Sequence, residues 1–307
     1  MRNEALVAQI QDRGDSLRSA HDWNGAADRY VEALRLQARV FGLNQPRASQ
    51  LLRAAADTLS QAGRSEEAAR LVGEYYIPAQ AGWPQPAEWL DWRAAVMARQ
   101  GRWREAMDDA ALAVKYFPSI ERHHALAVLL VANRHLLAYQ QLCQEMIASY
   151  NGTPYASVAD KVAKDCLILP SSEVDLAAVA AFAETAVTRG KGETPYNFYL
   201  CAKALADYRQ EKFQDAVAGT SVILKDPFPY TQAEASAVLA MAQFRIGQTE
   251  EARATFAKLE RVVGENLPLP RSVDLGNDWK DWVIAHVLLD EARSLIYGAT
   301  STGLDWR

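Results

Sequence analysis

Apolar and small residues return along this chain at helical intervals, and the returning pattern itself recurs about every forty residues. The segments WNGAADRYVEAL, GRSEEAARLVGEYY, GRWREAMDDAALAVKYFP, KFQDAVAGTSVILKDPF and IGQTEEARATFAKL each place a short turn, an Ala, an aromatic or apolar residue four later, and another apolar residue at +7 or +8. Those intervals share one face of a helix. Restated at this period, they predict stacked helical hairpins. The small residue that opens each second helix serves as a marker: Ala26, Ala68, Ala106, Tyr139, Val179, Ala216 and Ala252, at spacings of 42, 38, 33, 40, 37 and 36. Twelve residues before them stand Gly14, Ala56, Ala94, Ala127, Leu167, Ala204 and Ala240. Six of these seven are Gly or Ala, which lets two helices cross at short range. Four residues after the markers come Tyr30, Val72, Ala110, Cys143, Ala183, Thr220 and Phe256. Pro118 and Pro227 follow second helices, where Pro stops a helix without breaking one.

The fold this predicts is all-α: about seven helix–turn–helix units and a closing helix, with no strand ladder, because Val, Ile and Thr nowhere alternate at period two. Repeats are expected over 1–77 and 87–263, separated by a Pro/Gly loop at 78–86. A second loop at 264–277 precedes a capping helix at 278–297 and a frayed tail at 298–307. The capping helix puts Trp279, Trp282, Ala285 (or His286) and Leu289 on one stripe, and Lys280, Asp281, Asp290, Glu291 and Arg293 elsewhere. An array of repeats needs such a cover at its end.

The paired Gly/Ala positions, the aromatic at +4 and the terminal Pro resemble the tetratricopeptide repeat family, over roughly residues 7–262. The copy from Ala87 to Pro118 matches best, and the copy near 160–190 departs most, with Leu167 and Val179 in place of small residues. Residues 33–71 are similar to the 42-residue variant found in kinesin light chain and in many bacterial regulators. The resemblance implies an α-solenoid, a right-handed superhelix of hairpins. It also implies a non-catalytic scaffold that binds a protein or peptide partner in its concave groove. Residues 120–290, through HHALAVLLVANRHLLAYQQLCQEMI, VADKVAKDCLILP and DWKDWVIAHVLLDEARSLI, resemble the helical C-terminal region of bacterial serine/threonine kinases of the planctomycete type. That resemblance implies an alternative, a regulatory or sensory module of a bacterial signalling system. The glycine-rich loop, HRD and DFG of a kinase are not in this sequence.

Half of the 307 residues are hydrophobic, enough for a long core, and the formal net charge is −5 with no basic stripe. Nucleic acid is therefore not the expected partner. The longest apolar run, ALAVLLVA at 125–132, is too short to cross a bilayer, so no membrane association is expected. The N-terminus breaks into charge too soon for a signal peptide. Three scattered cysteines fit a reducing compartment. Together these read as a cytoplasmic chain.

Candidate chemistry adds little. His123 and His124 are adjacent, so they leave a helix on different sides and do not chelate one ion. Cys143, Cys166 and Cys201 have no CxxC spacing and read as helix-interface filler. The run TRGKGETP at 188–195 resembles a phosphate loop, but the required Gly is Thr185, inside a helix. Asp108 with Asp109, and Glu66 with Glu67, read as exposed acids at helix starts that complement the dipole. No cofactor, metal or catalytic residue is expected, and an enzyme would need a clustered acid and base. In tetratricopeptide arrays the first helices line the groove. By that register the inward residues are Arg53, Asp57, Glu88, Asp91, His124, Lys161, Lys164, Phe198 and Cys201. Chaperone-type arrays hold a carboxylate with an Asn at position nine of the first helix. Here that position carries Asp15, Asp57, Ala95, Val128, Ile168, Leu205 and Met241, so such a clamp is not expected. Trp83, in the Pro/Gly loop, is a further candidate contact.

Overall fold

The computed structural model describes residues 2–43, 46–75, 87–170, 173–266 and 275–298. Within them the chain forms fifteen α-helices and no strand. Trp83 and the expected loop at 78–86 lie outside the described residues, as does the tail beyond Gly298 and most of the loop at 264–277. The chain divides into two compact units between Arg102 and Trp103. The first holds α1 (Arg2–Ser19), α2 (Trp23–Phe41), α3 (Pro46–Gln61), α4 (Ser65–Glu74) and α5 (Ala87–Arg99). The second holds α6 (Trp103–Tyr116), α7 (Ile120–Ala132), α8 (Leu136–Ser149), α9 (Ala156–Leu167) and α10 (Leu176–Arg189). It continues with α11 (Tyr196–Arg209), α12 (Phe213–Thr220), α13 (Pro229–Arg245), α14 (Thr249–Asn266) and α15 (Trp279–Tyr297).

Six first helices, α1, α3, α5, α7, α11 and α13, end alike, and the shared ending folds the hairpins. Five residues before the marker, the chain turns left-handed at His21, Gly63, Gly101, Arg134, Glu211 and Gly247, with φ between 59° and 83°. The next amide then donates to the carbonyl five residues back: Asp22 to Leu17, Arg64 to Leu59, Arg102 to Met97, His135 to Leu130, Lys212 to Asp207 and Gln248 to Gln243, at 2.8–3.0 Å. This closure satisfies carbonyls that a helix end leaves orphaned. Among the described first helices of the hairpins, α9, in the repeat that departs most from the pattern, ends without it.

All twenty-one repeat positions named from the sequence are buried. Gly14 shows why small residues hold them. A Cβ there would come within 3.0 Å of the Tyr30 ring. Tyr30 in turn donates its hydroxyl to Asp15 at 2.6 Å. Leu167 and Val179 are buried as well, so α9 and α10 pack without small residues at those points. The second helix expected across FQDAVAGTSVILKDP breaks early. After Thr220 the chain tightens into a 3₁₀ turn at Ile223–Lys225. The Thr220 and Ser221 hydroxyls turn back onto the carbonyls of Val217 and Ala218. Asp109, expected at the surface, is buried, whereas Glu66 is exposed and Glu67 is paired with Arg64.

In the second unit α7, α9, α11 and α13 pack side by side in that order. The final helix α15 packs on α13 and α14, and also touches α7 at the far side of the row. It is held to α11 by Arg209, which forks onto both oxygens of Glu291 and also donates to the carbonyls of Leu167 and Ile168. α15 therefore lies across the row of first helices. One buried stripe was expected; instead Val283, Ile284, Val287, Leu288 and Asp290 are buried too, because the helix has neighbours on several sides.

Candidate functional site

The residues aimed at the groove fall into two sets. In the first unit Arg53 and Asp57 stand on α3 with their side chains 54% and 50% exposed, 3.8 Å apart at Nε and Oδ2. Two helices on, Trp92 of α5 donates its indole N–H to Asp57 Oδ1 at 2.8 Å. Asp91 is half-buried beside it in sequence. The result is an accessible face carrying a cation, two carboxylates and an indole. Trp92 escaped the sequence reading because its position is neither small nor charged; only the three-dimensional neighbour, Asp57, marks it.

In the second unit the five predicted residues come together but do not form an open groove. His124 on α7 is 6% exposed, Lys164 on α9 is 3% and Cys201 on α11 is 2%. Lys161 and Phe198 are half-buried at the margin, and Lys161 pairs with Glu121 at 3.1 Å. Cys201 packs in a core with Ile223 and Ala235, and α15 packs on α13 and α7, the two ends of this row. Among these helices runs a buried polar seam. Lys164 Nζ meets Glu234 Oε2 of α13 at 3.3 Å. The Cys201 thiol donates to the same oxygen at 3.5 Å. The ammonium also sits 4.9 Å from the Phe198 ring centroid. His124 Nδ1 lies 2.6 Å from Asp165 Oδ1, and His123 Nδ1 lies 2.9 Å from the Tyr150 hydroxyl.

Burial sets the charges of this seam. It pushes the Glu234 carboxyl up to about 7, against the pull of Lys164. It raises Asp160 for the same reason, and raises the Cys201 thiol with help from Glu234. Burial alone would lower the Lys164 ammonium, but Glu234 and Asp160 outweigh it and hold it well above its usual value. All three cysteines are buried free thiols. Among the described residues no three His, Cys, Asp or Glu side chains are grouped to hold a metal ion. No described helix is long and apolar enough to cross a membrane.

A third feature lies on the first unit, away from Arg53 and Asp57. α1, α2 and the start of α4 enclose a cleft of about 890 Å³. Arg13, Arg29, Arg35, Arg39 and Arg64 line it together with Leu6, Ile10 and Leu36.

No family model matches the chain, and no curated protein does. Among solved structures it is similar to a tetratricopeptide repeat protein from Parabacteroides merdae ATCC 43184. The TM-score is 0.58 at 12% identity, over 92% of this chain and 98% of that one. The chain has the tetratricopeptide-repeat fold. More distant matches are the TPR2AB domain of yeast Sti1 in its pHSP90 complex and a Podosopora anserina putative kinesin light chain. The first has a TM-score of 0.31 and 14% identity, over 94% of this chain and 99% of that one. The second has a TM-score of 0.26 and 12% identity, over 86% and 98%.

Proposed function

We propose that the chain is a non-catalytic interaction scaffold that binds a protein or peptide partner, with the accessible inner face of its first unit as the main contact. The observation that supports this most is the contrast in exposure. Arg53 and Asp57 present half-exposed charges with an indole beside them, whereas His124, Lys164 and Cys201 of the second unit are buried. A stack of hairpins fixes such groups before a partner arrives, so little ordering entropy is lost on binding. In the second unit the proposed contact is limited to Lys161 and Phe198 at the margin. A place in a kinase signalling system rests on the sequence resemblance of residues 120–290 alone.

The test is photo-crosslinking in native lysate from p-benzoylphenylalanine placed at 53 or 57, with position 184, exposed on α10, as control. A discrete adduct from 53 or 57 and none from 184 is expected. Adducts from all three positions, or from 184 alone, or from none, would count against the reading.

A further inference from the structure

We infer that the cleft between α1, α2 and α4 is a second interaction surface, and that its occupant is an acidic, amphipathic helical segment of a partner protein. The inference goes beyond the scaffold reading above, because none of its residues belongs to the Arg53–Asp57 face. It starts from a charge imbalance. Five arginines line the cleft against three acids, Asp28, Glu32 and Glu67, in a chain whose net charge is −5. Those acids are already engaged. Arg64 holds Asp28 at 2.8 Å and Glu67 at 2.9 Å, and Arg29 holds Glu32. Arg35 interacts with the Tyr75 hydroxyl. Arg13 and Arg39 are exposed and meet no carboxylate among the described residues. Positive charge is thus left over where an apolar floor is also on offer. Leu6 is 44% exposed, and Ile10 and Leu36 are half-buried.

The arrangement selects the kind of partner. α1 contributes Leu6, Gln9, Ile10 and Arg13 to the wall, the i, i+3, i+4, i+7 stripe that a second helix meets when it lies in a groove. α1 and α2 run antiparallel around the turn at His21. Arg13 and Arg29 therefore sit toward one end of the cleft and Arg39 toward the other, with the apolar residues between. Ten residues separate Arg29 from Arg39, which is about 15 Å along a helix. A matching helix carries carboxylates about ten residues apart, with Leu or Ile at i, i+3 and i+7 between them. A polyphosphate chain fits less well. It has no use for the apolar floor, and the lining acids repel it.

The probe is a fluorescein-labelled 16-residue peptide built to that pattern, titrated onto the full chain and followed by anisotropy. A scrambled peptide, a version with Lys for Glu, and a 12-nucleotide single-stranded RNA are the comparisons. Saturable binding of the Glu peptide alone is expected, weakening with salt. Arg13→Glu with Arg39→Glu should weaken it by about tenfold or more, since attraction becomes repulsion at both ends. Arg53→Glu should leave it unchanged, which separates this surface from the proposed inner face. Both reversed residues are exposed, and an unchanged circular dichroism spectrum would confirm the fold. The inference is overturned if the peptide does not saturate. It is equally overturned if the Lys or scrambled peptide binds as well, if the double reversal has no effect, or if the RNA binds more tightly through the same arginines.

Discussion

At the scale of single residues, the repeat is written in where each residue must be small and where the backbone must turn left-handed. Six first helices close through a left-handed residue, but only three of these residues are glycine. His21, Arg134 and Glu211 carry side chains in a conformation that costs an L-residue roughly 1 kcal/mol. Replacing Arg134 or Glu211 with Gly should raise unfolding stability by about 0.5–1 kcal/mol, and Gly63→Ala should lower it by a similar amount. Urea denaturation of the three variants checks the signs. A second prediction concerns Glu234. Its carboxyl titrates near 7 in the folded chain against an ordinary 4.5, so the folded state keeps a proton that the unfolded chain has released. Stability should therefore fall as pH rises from about 4.5 through 7, by at most about 3 kcal/mol from this group. Asp160, raised in the same direction, adds to the trend. In Glu234→Gln the decline should be shallower; parallel stability curves for the two proteins would show that Glu234 does not titrate there. The small-residue positions were legible because close helix crossing admits few residue types. The buried state of Lys164 and Cys201 was not. Helical register says which way a side chain faces, not what lies over it.

At the scale of elements, α15 is the helix whose sequence meaning changed most. Its Trp279–Trp282–Leu289 stripe predicts a cover for the last hairpin, and the helix packs on α13 and α14. The further contact with α7 was legible in principle. Val283, Ile284, Val287 and Leu288 fall off the stripe, and a helix that is apolar on more than one side needs more than one neighbour. Arg209 is the polar fastening. It sits almost fully buried and ties the end of α9, through Leu167 and Ile168, to Glu291 on α15. Arg209→Met should cost about 2 kcal/mol or more, because it strands a carboxylate and two carbonyls together. Arg253→Ala breaks an exposed pair with Glu250 and should change stability by less than about 1 kcal/mol. Thermal melts of both variants compare the two. Equal losses would mean that Arg209 does not anchor the helix.

At the scale of the molecule, the two units use one hairpin fold in different ways. The first keeps an accessible charged face and a separate arginine-lined cleft. In the second, His124, Lys164 and Cys201 of the inner row are buried, and the last helix packs on both α13 and α7. The hairpin architecture was legible because its period is sustained over six spacings of similar length. Which inner face stays open was not, since that depends on a contact between α7 and α15 more than a hundred residues apart. Hydrogen exchange on the intact chain, followed by mass spectrometry, tests this division most directly. Amides of α15 should exchange as slowly as those of α7 and α13, in one protection class, because all three share a core. Fast exchange across α15, with α7 and α13 still protected, would contradict the account and leave the second unit's inner face open to a partner.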